Sequence, residues 1–362
     1  MRNRTIILTL ALAIALAGAL PVLAAVDTAA ALEYLKTQQN ADGGFGSGFS
    51  PASTLSSTAD AVLALVSVAG DPAAFAQGGN TPTTYLAANA PSAATAGDLA
   101  KLILAAIAVG ENPRQLGGVD SVAKLEAMVG PDGRIGGEKD TFVSHTWAVL
   151  ALASAKRPIP AAGLTYIKNG QQENGGWAWD GSAATAADTN TTAFAVQALV
   201  AAGEAASGNS VTKALTYYKG IQNDDGGWPY QSPSDFGTAT DANSTAVTIQ
   251  ALIAAGQDPA GAEWKTAKGN TPRAALEALQ NKSGAFAWQA AVTDDNLLAT
   301  VQALPAVAGK AFPLATMDVG QATAAAPTTT PVTGGEVANL ALPLLLSGLA
   351  LAGGGYVLRR KK

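Results

Sequence analysis

The chain has 362 residues, of which 48% are hydrophobic and 14% are charged, and its formal net charge is −5. A negative net charge without a basic patch excludes nucleic acid as an expected partner. The chain has no cysteine and a single histidine, His145. Disulfides, thiolate nucleophiles and cysteine–histidine metal sites are therefore excluded, and we predict no metal site and no cofactor.

The N-terminal residues have the layout of a secretory signal peptide. Arg2 and Arg4 precede a long uncharged apolar run, which ends just before the small residues Ala24 and Ala25. A basic start, an apolar stretch and a small-residue cleavage site are typical of exported proteins. We predict a signal peptide over residues 1–24, with a retained membrane anchor as the alternative.

A fixed-period repeat fills residues 26–310. Each clear copy has an apolar helical pattern, a glutamine, a Gly-Gly or Gly-Ala pair and then an aromatic residue. The glutamine and aromatic residues are Gln39 with Phe45, Gln171 with Trp177, Gln222 with Trp228 and Gln280 with Phe286. Because glycine favours the left-handed backbone that follows many helices, we predict that the glycine pair ends the first helix of each copy.

A second, alanine-rich helix is predicted after each first helix. Residues 188–199 and 241–252 align without a gap, and others begin near Ser57, His145 and Asp295. Asp, Asn, Ser and Thr are good N-caps, and apolar residues nearly all round suit a helix that is buried on several sides. We predict an all-α toroid of about six helix pairs, with the second helices inside and the first helices outside.

The repeated Gln-x-x-x-Gly-Gly-Trp pattern resembles the repeat of squalene–hopene cyclases and of protein prenyltransferase β subunits. The resemblance covers most of residues 26–310 and implies an α/α toroid. It also implies that the glutamine and tryptophan are structural residues, which tie neighbouring outer helices together. We expect that role for Gln171, Trp177, Gln222 and Trp228.

The cyclases of this family protonate an alkene with an Asp-x-Asp-Asp-Thr-Ala motif, in which the middle aspartate is the acid. The corresponding segments here begin at Asp188 and Asp241 and have Asn190 and Asn243 where the proton donor would stand. An amide cannot supply that proton, so we expect Asp188 and Asp241 to cap helices. Protein prenyltransferases hold zinc with Asp, Cys and His, and that ligand set cannot form here. We therefore predict no catalytic residue.

A second aromatic residue stands two positions after the first one in three copies: Trp179, Tyr230 and Trp288. In the resembling family such loops help to form the mouth of a central cavity. Aromatic side chains at that place can stack on sugar rings or hold an apolar ligand, although they can also fill gaps between repeats. We predict that these three residues bind a ligand.

The C-terminal residues are predicted to be a linker and an anchor. Residues 311–335 are rich in Ala, Thr and Pro, and such a segment buries too little surface to fold. Residues 337–358 carry no charge and are long enough to span a bilayer, so we predict a transmembrane anchor over 336–362 whose basic tail is cytoplasmic. Residues 330–335 resemble a sortase sorting signal, with Thr330 where that signal has Leu, so both wall attachment and membrane anchoring are open.

These features favour a secreted protein that is anchored to the cell membrane or wall with its body outside. We predict a non-catalytic binding module whose partner is a small molecule, a glycan or a surface protein. The alternative is a terpene cyclase-like or polysaccharide-acting enzyme with an atypical site. Its acids would then be Asp188, Asp241 and Asp295. A purely structural stalk is the third hypothesis.

Overall fold

The computed structural model describes residues 26–48, 50–235 and 237–321, all of which belong to one compact unit. The predicted signal peptide (1–24) and the predicted anchor (336–362) lie outside the described residues. Within the described ranges, no helix is both long enough and apolar enough to cross a membrane.

The described residues form twelve α-helices in alternating outer and inner positions. In chain order they are α1 (Thr28–Gln38), α2 (Leu55–Ser67), α3 (Pro82–Asn89), α4 (Ala96–Ala108), α5 (Ser121–Glu126), α6 (Phe142–Ser154), α7 (Ala161–Asn169), α8 (Thr189–Ala201), α9 (Asn209–Ile221), α10 (Ala242–Ala254), α11 (Pro272–Glu277) and α12 (Leu297–Val307). Each even-numbered helix packs against the next one, and α12 packs against α2. The even-numbered helices therefore close an inner ring, and the prediction of six helix pairs is confirmed.

The glutamine and tryptophan of each repeat have the structural role that the resemblance implies. The Nε2 of Gln171 donates to Gly175 O (2.8 Å) in its own turn and to Ser210 O (2.8 Å) in the next outer helix, α9. Trp177 is fully buried, and its Nε1 donates to Ile167 O (2.6 Å) in α7. One side chain thus links neighbouring repeats, and the other folds back on the helix that precedes it.

The glycine pair does not end the outer helix, so that prediction is wrong. Helix α7 ends at Asn169, and the pair Gly175-Gly176 lies several residues later in a tight turn, where Gly175 N donates to Gln172 O (2.9 Å). Gly175 has φ +92°, and a Cβ there would lie 2.2 Å from Lys213 O in α9. The glycine is required because the turn has left-handed backbone and because the next repeat approaches it closely.

The last repeat contains a short β-hairpin, which the sequence does not predict. Strand β1 (Phe286–Gln289) pairs antiparallel with β2 (Val292–Asn296). Asp295 was predicted to open the last inner helix, but it lies within β2, and Asn296 is the N-cap of α12. The expectation of an all-α chain is therefore wrong for this one loop.

Residues 311–321 pack against the ring, although the sequence predicts a linker from residue 311. Ser154, the last residue of α6, accepts from Met317 N (2.8 Å) and donates to Ala315 O (2.8 Å). Arg114 donates to the carbonyl oxygens of Val319 and Gly320. We call residues 311–321 the strap. These contacts tie the strap to two neighbouring repeats of the ring.

Candidate functional site

The six inner helices share one register, which is set by their N-caps. The capping side chains, each of which accepts a hydrogen bond from a backbone N–H in the first turn, belong to Thr54, Thr95, Thr141, Asp188, Asp241 and Asn296. The residues six positions after these caps are Asp60, Lys101, Trp147, Phe194, Val247 and Gln302. All six line the same cavity of about 210 Å³, which therefore lies at the centre of the ring.

The central cavity contains one ion pair beside an aromatic wall. Lys101 Nζ lies 2.6 Å from Asp60 Oδ2, and both side chains are mostly buried. The same ammonium lies over the ring of Trp147, at 5.2 Å from its centroid. Trp147 in turn packs against Phe194, with ring centroids 4.9 Å apart. The acid and the base balance each other, so the lining of the cavity is formally neutral.

The strap covers this cavity at the C-terminal end of the inner helices. Phe312 is one of the lining residues, and its ring lies 5.5 Å from Trp147, centroid to centroid. Its backbone N–H donates to Oε1 of the buried Gln197 (2.9 Å). Because residues 311–335 are predicted to be an unfolded linker, the sequence does not indicate that Phe312 lines the cavity.

A second space lies at the opposite end of the ring, between the first turns of α2 and α12. This vestibule of about 200 Å³ is lined by Gly46, Ser47, Ser57, Leu297 and Leu298, and it shares Asp60 and Val301 with the central cavity. Asp60 and Val301 therefore separate the vestibule from the central cavity.

The acids predicted for the enzyme hypothesis do not line the central cavity. Asp188 Oδ1 accepts from Thr191 N (2.7 Å) and its Oδ2 accepts from Thr191 Oγ1 (2.7 Å), which makes Asp188 a buried N-cap. Asp241 makes the same two contacts with Ser244. Burial raises the pKa of each carboxyl to about 6, against the opposing effect of these hydrogen bonds. The expectation that both aspartates cap helices is confirmed.

The third candidate acid, Asp295, is exposed and has a local role. Its Oδ1 accepts from Asn281 Nδ2 (2.8 Å) and from Ser283 Oγ (2.7 Å), so it holds the turn of the last repeat against β2. The structure does not bring Asp188, Asp241 and Asp295 together at one cavity. Asp188 and Asp241 are the N-caps of two different inner helices, and Asp295 lies one residue before the N-cap of a third.

The three predicted ligand-binding aromatic residues lie outside the central cavity, on the loops that lead into inner helices. Trp179, Tyr230 and Trp288 expose 50%, 46% and 42% of their surface. The backbone of Tyr230 is held in place, because its carbonyl oxygen accepts from Thr189 N (2.8 Å). Together the three side chains form an exposed aromatic rim at the N-terminal ends of the inner helices. Ligand binding by this rim stays a prediction.

His145 is a structural residue. In four repeats a threonine lies four positions after the N-cap of the inner helix. Its hydroxyl oxygen accepts a hydrogen bond from the backbone N–H of the aromatic residue in the turn, as Thr192 Oγ1 does from Trp177 N (3.0 Å). His145 has this position in its own repeat, where Nδ1 accepts from Ile135 N (2.9 Å) and Nε2 lies 3.0 Å from Gly163 O. The contacts require a neutral ring with its proton on Nε2, and burial lowers the pKa of His145 accordingly.

The sequence matches the family described as the prenyltransferase alpha-alpha toroid domain over residues 3–83 and 141–288. The chain belongs to this family. A variant of the type II terpene cyclase MstE from Scytonema, without ligand, superposes with a TM-score of 0.56 at 15% identity, covering 78% of this chain and 95% of the cyclase. MstE with its product merosterolic acid A matches at 16% identity and MstE with geranylgeranyl dihydroxybenzoate at 15%, with the same TM-score and the same coverage.

At such identities the likeness to MstE concerns the prenyltransferase toroid fold alone. Among curated proteins, none matches the sequence. Sequence reasoning missed the six cavity residues that the inner helices contribute at the same register. These residues occupy equivalent positions in their repeats, but their side chains differ in charge, size and polarity. Counting six places from each N-cap would have found them, since an inner helix presents a residue to the ring axis at a fixed register.

Proposed function

We propose that this toroid is a non-catalytic binding protein that takes up a small ligand in its central cavity. The observation that carries the proposal is the cavity itself, to which every inner helix contributes one residue at the same register. Its aromatic wall supplies apolar contact, and its few polar groups supply orientation, which is the usual composition of a ligand site. We further propose that the protein is exported and held at the cell surface through its C-terminal residues, as the sequence predicts.

The chemistry of the cavity favours binding over catalysis. Its only carboxylate among the lining residues, Asp60, already forms an ion pair with Lys101 at 2.6 Å. The buried acids with raised pKa values are Asp188 and Asp241, and both carboxylate oxygens of each accept hydrogen bonds in the first turn of its helix. This arrangement supports a binding role.

The size of the cavity favours a small ligand. A protein cavity of roughly 150 Å³ holds one benzene molecule, so the 210 Å³ here corresponds to a ligand of about ten non-hydrogen atoms. The geranylgeranyl dihydroxybenzoate that MstE binds is far larger than that. The volume of the cavity therefore disfavours the alternative, terpene cyclase-like activity on a substrate of that size.

A binding screen on the purified protein over residues 26–321 tests the proposal. Ligands that bind the folded state raise its melting temperature by mass action, and binding near Trp147 changes its fluorescence. The variant Val247→Phe fills the cavity and should abolish binding, whereas the matched rim variant Trp179→Ala should bind as the wild type does. Binding that survives Val247→Phe and is lost in Trp179→Ala would move the site to the aromatic rim. Turnover of a polyprene that is lost in Asp188→Asn would establish the enzyme alternative.

A further inference from the structure

A groove lies between the fifth helix pair (α9 and α10) and the sixth (α11 and α12). Its volume is about 890 Å³, compared with about 210 Å³ for the central cavity, and the two spaces share no lining residue. One wall belongs to α11 and the residues just after it, which contribute Ala274, Ala275, Ala278 and Leu279. The other walls are residues 222–225 in the turn of the fifth pair, residues 238–240 before α10 and residues 289–291 at the tip of the hairpin. A space of this size is within the range of protein sites that bind whole ligands.

The groove lies where one outer helix lacks a tyrosine that other outer helices have. In α9, Tyr217 packs on the turn of the preceding repeat, so closely that a Cβ on Gly176 would lie 3.0 Å from its ring. In α3, Tyr85 does the same, at 2.9 Å from a Cβ on Gly44. Ala275 has the position of Tyr217 in α11, five residues before the glutamine of its repeat. The missing ring leaves the space between the fifth and sixth pairs open.

The groove has polar groups that solvent can reach and that the protein does not use. Gln222 Nε2 donates to two carbonyl oxygens (2.9 and 3.0 Å), and Asn223 Nδ2 donates to a carbonyl and a hydroxyl oxygen (both 2.9 Å). The side-chain oxygens of these two residues accept no hydrogen bond from the described residues. Both side chains are partly exposed, and neither oxygen is one of the buried unpaired atoms. The amide of Gln289, which is also partly exposed, forms no side-chain hydrogen bond with the described part of the chain.

The charges of the lining exclude an anionic ligand. None of the described residues that line the groove is a lysine or an arginine. Of the two lining carboxylates, that of Asp224 is paired with Lys268 (2.9 Å), and Asp225 Oδ1 accepts from Gly227 N (3.0 Å) and Thr240 Oγ1 (2.7 Å). An anion would therefore meet carboxylates and no free cation. The groove fits a ligand that is uncharged and polar.

Two exposed aromatic residues stand next to the groove in the sequence. Trp288 precedes the lining residue Gln289, and Tyr230 begins the loop whose last residues, 238–240, form a wall. They expose 42% and 46% of their surface, respectively. A sugar ring has an apolar face that can stack on such a side chain and hydroxyl groups that both donate and accept hydrogen bonds. Aromatic rings beside unpaired amides therefore match a sugar in both respects.

We propose that this groove binds a neutral oligosaccharide. The sugar hydroxyls hydrogen-bond to the amides of Gln222, Asn223 and Gln289. The apolar faces of the sugar rings stack on Trp288 and Tyr230 at its edge. This site goes beyond the proposed function, because the small ligand of that proposal lies in the central cavity.

Calorimetric titration of the full chain with a panel of linear tetrasaccharides tests the proposal. The neutral members are built from glucose, mannose, galactose or N-acetylglucosamine, and the anionic member is built from galacturonic acid. We expect at least one neutral member to bind with a dissociation constant below about 1 mM, and more tightly than the anionic one. If no neutral member reaches this affinity, or if the anionic one binds as tightly, the proposal is wrong.

The variant Ala275→Tyr restores the missing ring and fills the groove, so it should weaken binding by about tenfold or more. Trp288→Ala should weaken it by about three- to tenfold, because one stacking partner is lost. Trp179→Ala is the matched control, since it removes a similarly exposed ring from the preceding repeat and should bind as the wild type does. Thermal unfolding checks that each variant is folded.

If Ala275→Tyr does not fold, Gln289→Ala at the exposed tip of the hairpin takes its place, with an expected loss of about three- to tenfold. Binding that is unchanged in a folded Ala275→Tyr variant, or that is lost in Trp179→Ala and kept in Trp288→Ala, contradicts the site. Val247→Phe fills the central cavity and should leave the binding of the tetrasaccharide intact. The two proposals can therefore fail independently.

Discussion

Gln280 and Asp27 are 253 positions apart, and they join the last repeat to the first through two hydrogen bonds. Gln280 Oε1 accepts from Asp27 N (2.8 Å), and its Nε2 donates to Asp27 O (2.9 Å). The same glutamine also donates to Gly284 O in its own turn (2.9 Å). The contact between consecutive repeats is thus used once more, between the two ends of the domain, to close the ring.

Replacing this glutamine should loosen both ends of the domain. We expect Gln280→Ala to lower the free energy of unfolding by about 1–3 kcal/mol, because three backbone contacts are lost. Hydrogen exchange should accelerate in both α1 and α11. The matched variant Gln222→Ala, which loses contacts to Gly226 and Trp264, should leave α1 protected. Unchanged exchange in α1 of the Gln280→Ala variant would show that the closing contact is dispensable.

Trp177 and Trp179 form a natural pair for testing the role of burial. Trp177 is fully buried and Trp179 is half exposed, although only one residue separates them. We expect Trp177→Ala to lower the free energy of unfolding by about 3–5 kcal/mol, since a large cavity is created. Trp179→Ala should change it by no more than about 0.5 kcal/mol. Urea unfolding measures both, and equal losses would contradict the different roles of the two residues.

Gly175 should not tolerate a side chain. Gly175→Ala adds a Cβ 2.2 Å from Lys213 O and places alanine at φ +92°. Gly203 has φ +95° and nothing within 4 Å of a Cβ, so Gly203→Ala measures the backbone strain alone, which is about 1–2 kcal/mol. We expect Gly175→Ala to destabilise the protein clearly more than Gly203→Ala in thermal unfolding. Similar melting temperatures for the two variants would mean that neighbouring repeats can separate without loss.

The buried cap Asp188 should make stability depend on pH. Its pKa in the folded protein is raised to about 6 by burial, above the value of about 3.9 in an unfolded chain. Protonation therefore favours the folded state, and this stabilisation is complete below about pH 4 and lost as the pH rises through 6. Asparagine caps a helix equally well and does not titrate.

Consequently, the free energy of unfolding of the wild type, relative to that of Asp188→Asn, should fall by about 2–3 kcal/mol between pH 4 and pH 7. Urea titrations at a series of pH values measure this difference. Asp241→Asn should behave in the same way, because Asp241 makes the same contacts with a similarly raised pKa. A difference that stays constant, or that grows with pH, would show that the carboxyls are charged in their caps.

The strap should contribute to stability even though its composition suggests a linker. Truncation after residue 310 removes Phe312 from the cavity and takes two carbonyl acceptors from Arg114. We expect residues 26–310 to be less stable than residues 26–321 by about 2–3 kcal/mol, mainly because the partly buried side chains of the strap, with Phe312 among them, lose their contacts with the core. Calorimetry of the two proteins measures this difference. Identical melting temperatures would show that the strap does not contribute to stability.

The repeat was predictable because each helix pair carries its own signals. The polar caps of the inner helices and the glutamine before each turn recur in the sequence, and both make local contacts. The register of the cavity was harder to predict, since its residues differ in every repeat: Asp60 and Lys101 attract each other, whereas Val247 only fills space. A cavity that is lined by a different type of residue in each repeat produces no motif that a single sequence can show.

The strap was missed for a different reason. The window from 311 to 335 is dominated by Ala, Thr and Pro, but its first part contains Phe312, Leu314, Met317 and Val319. All four pack against the hydrophobic core. The average composition of residues 311–335 does not show this short apolar segment at its start. The segment is ordered by packing against the helical ring, and it has no helical or strand periodicity of its own. Such tertiary ordering has no local signature.

Because the strap covers the C-terminal end of the inner ring, with Phe312 lining the central cavity, the domain has a base at that end. Any path for a guest molecule through this end of the ring would therefore have to displace Phe312. The last described residue lies at the same base, where Gln321 Oε1 accepts from Arg157 Nη2 (2.8 Å).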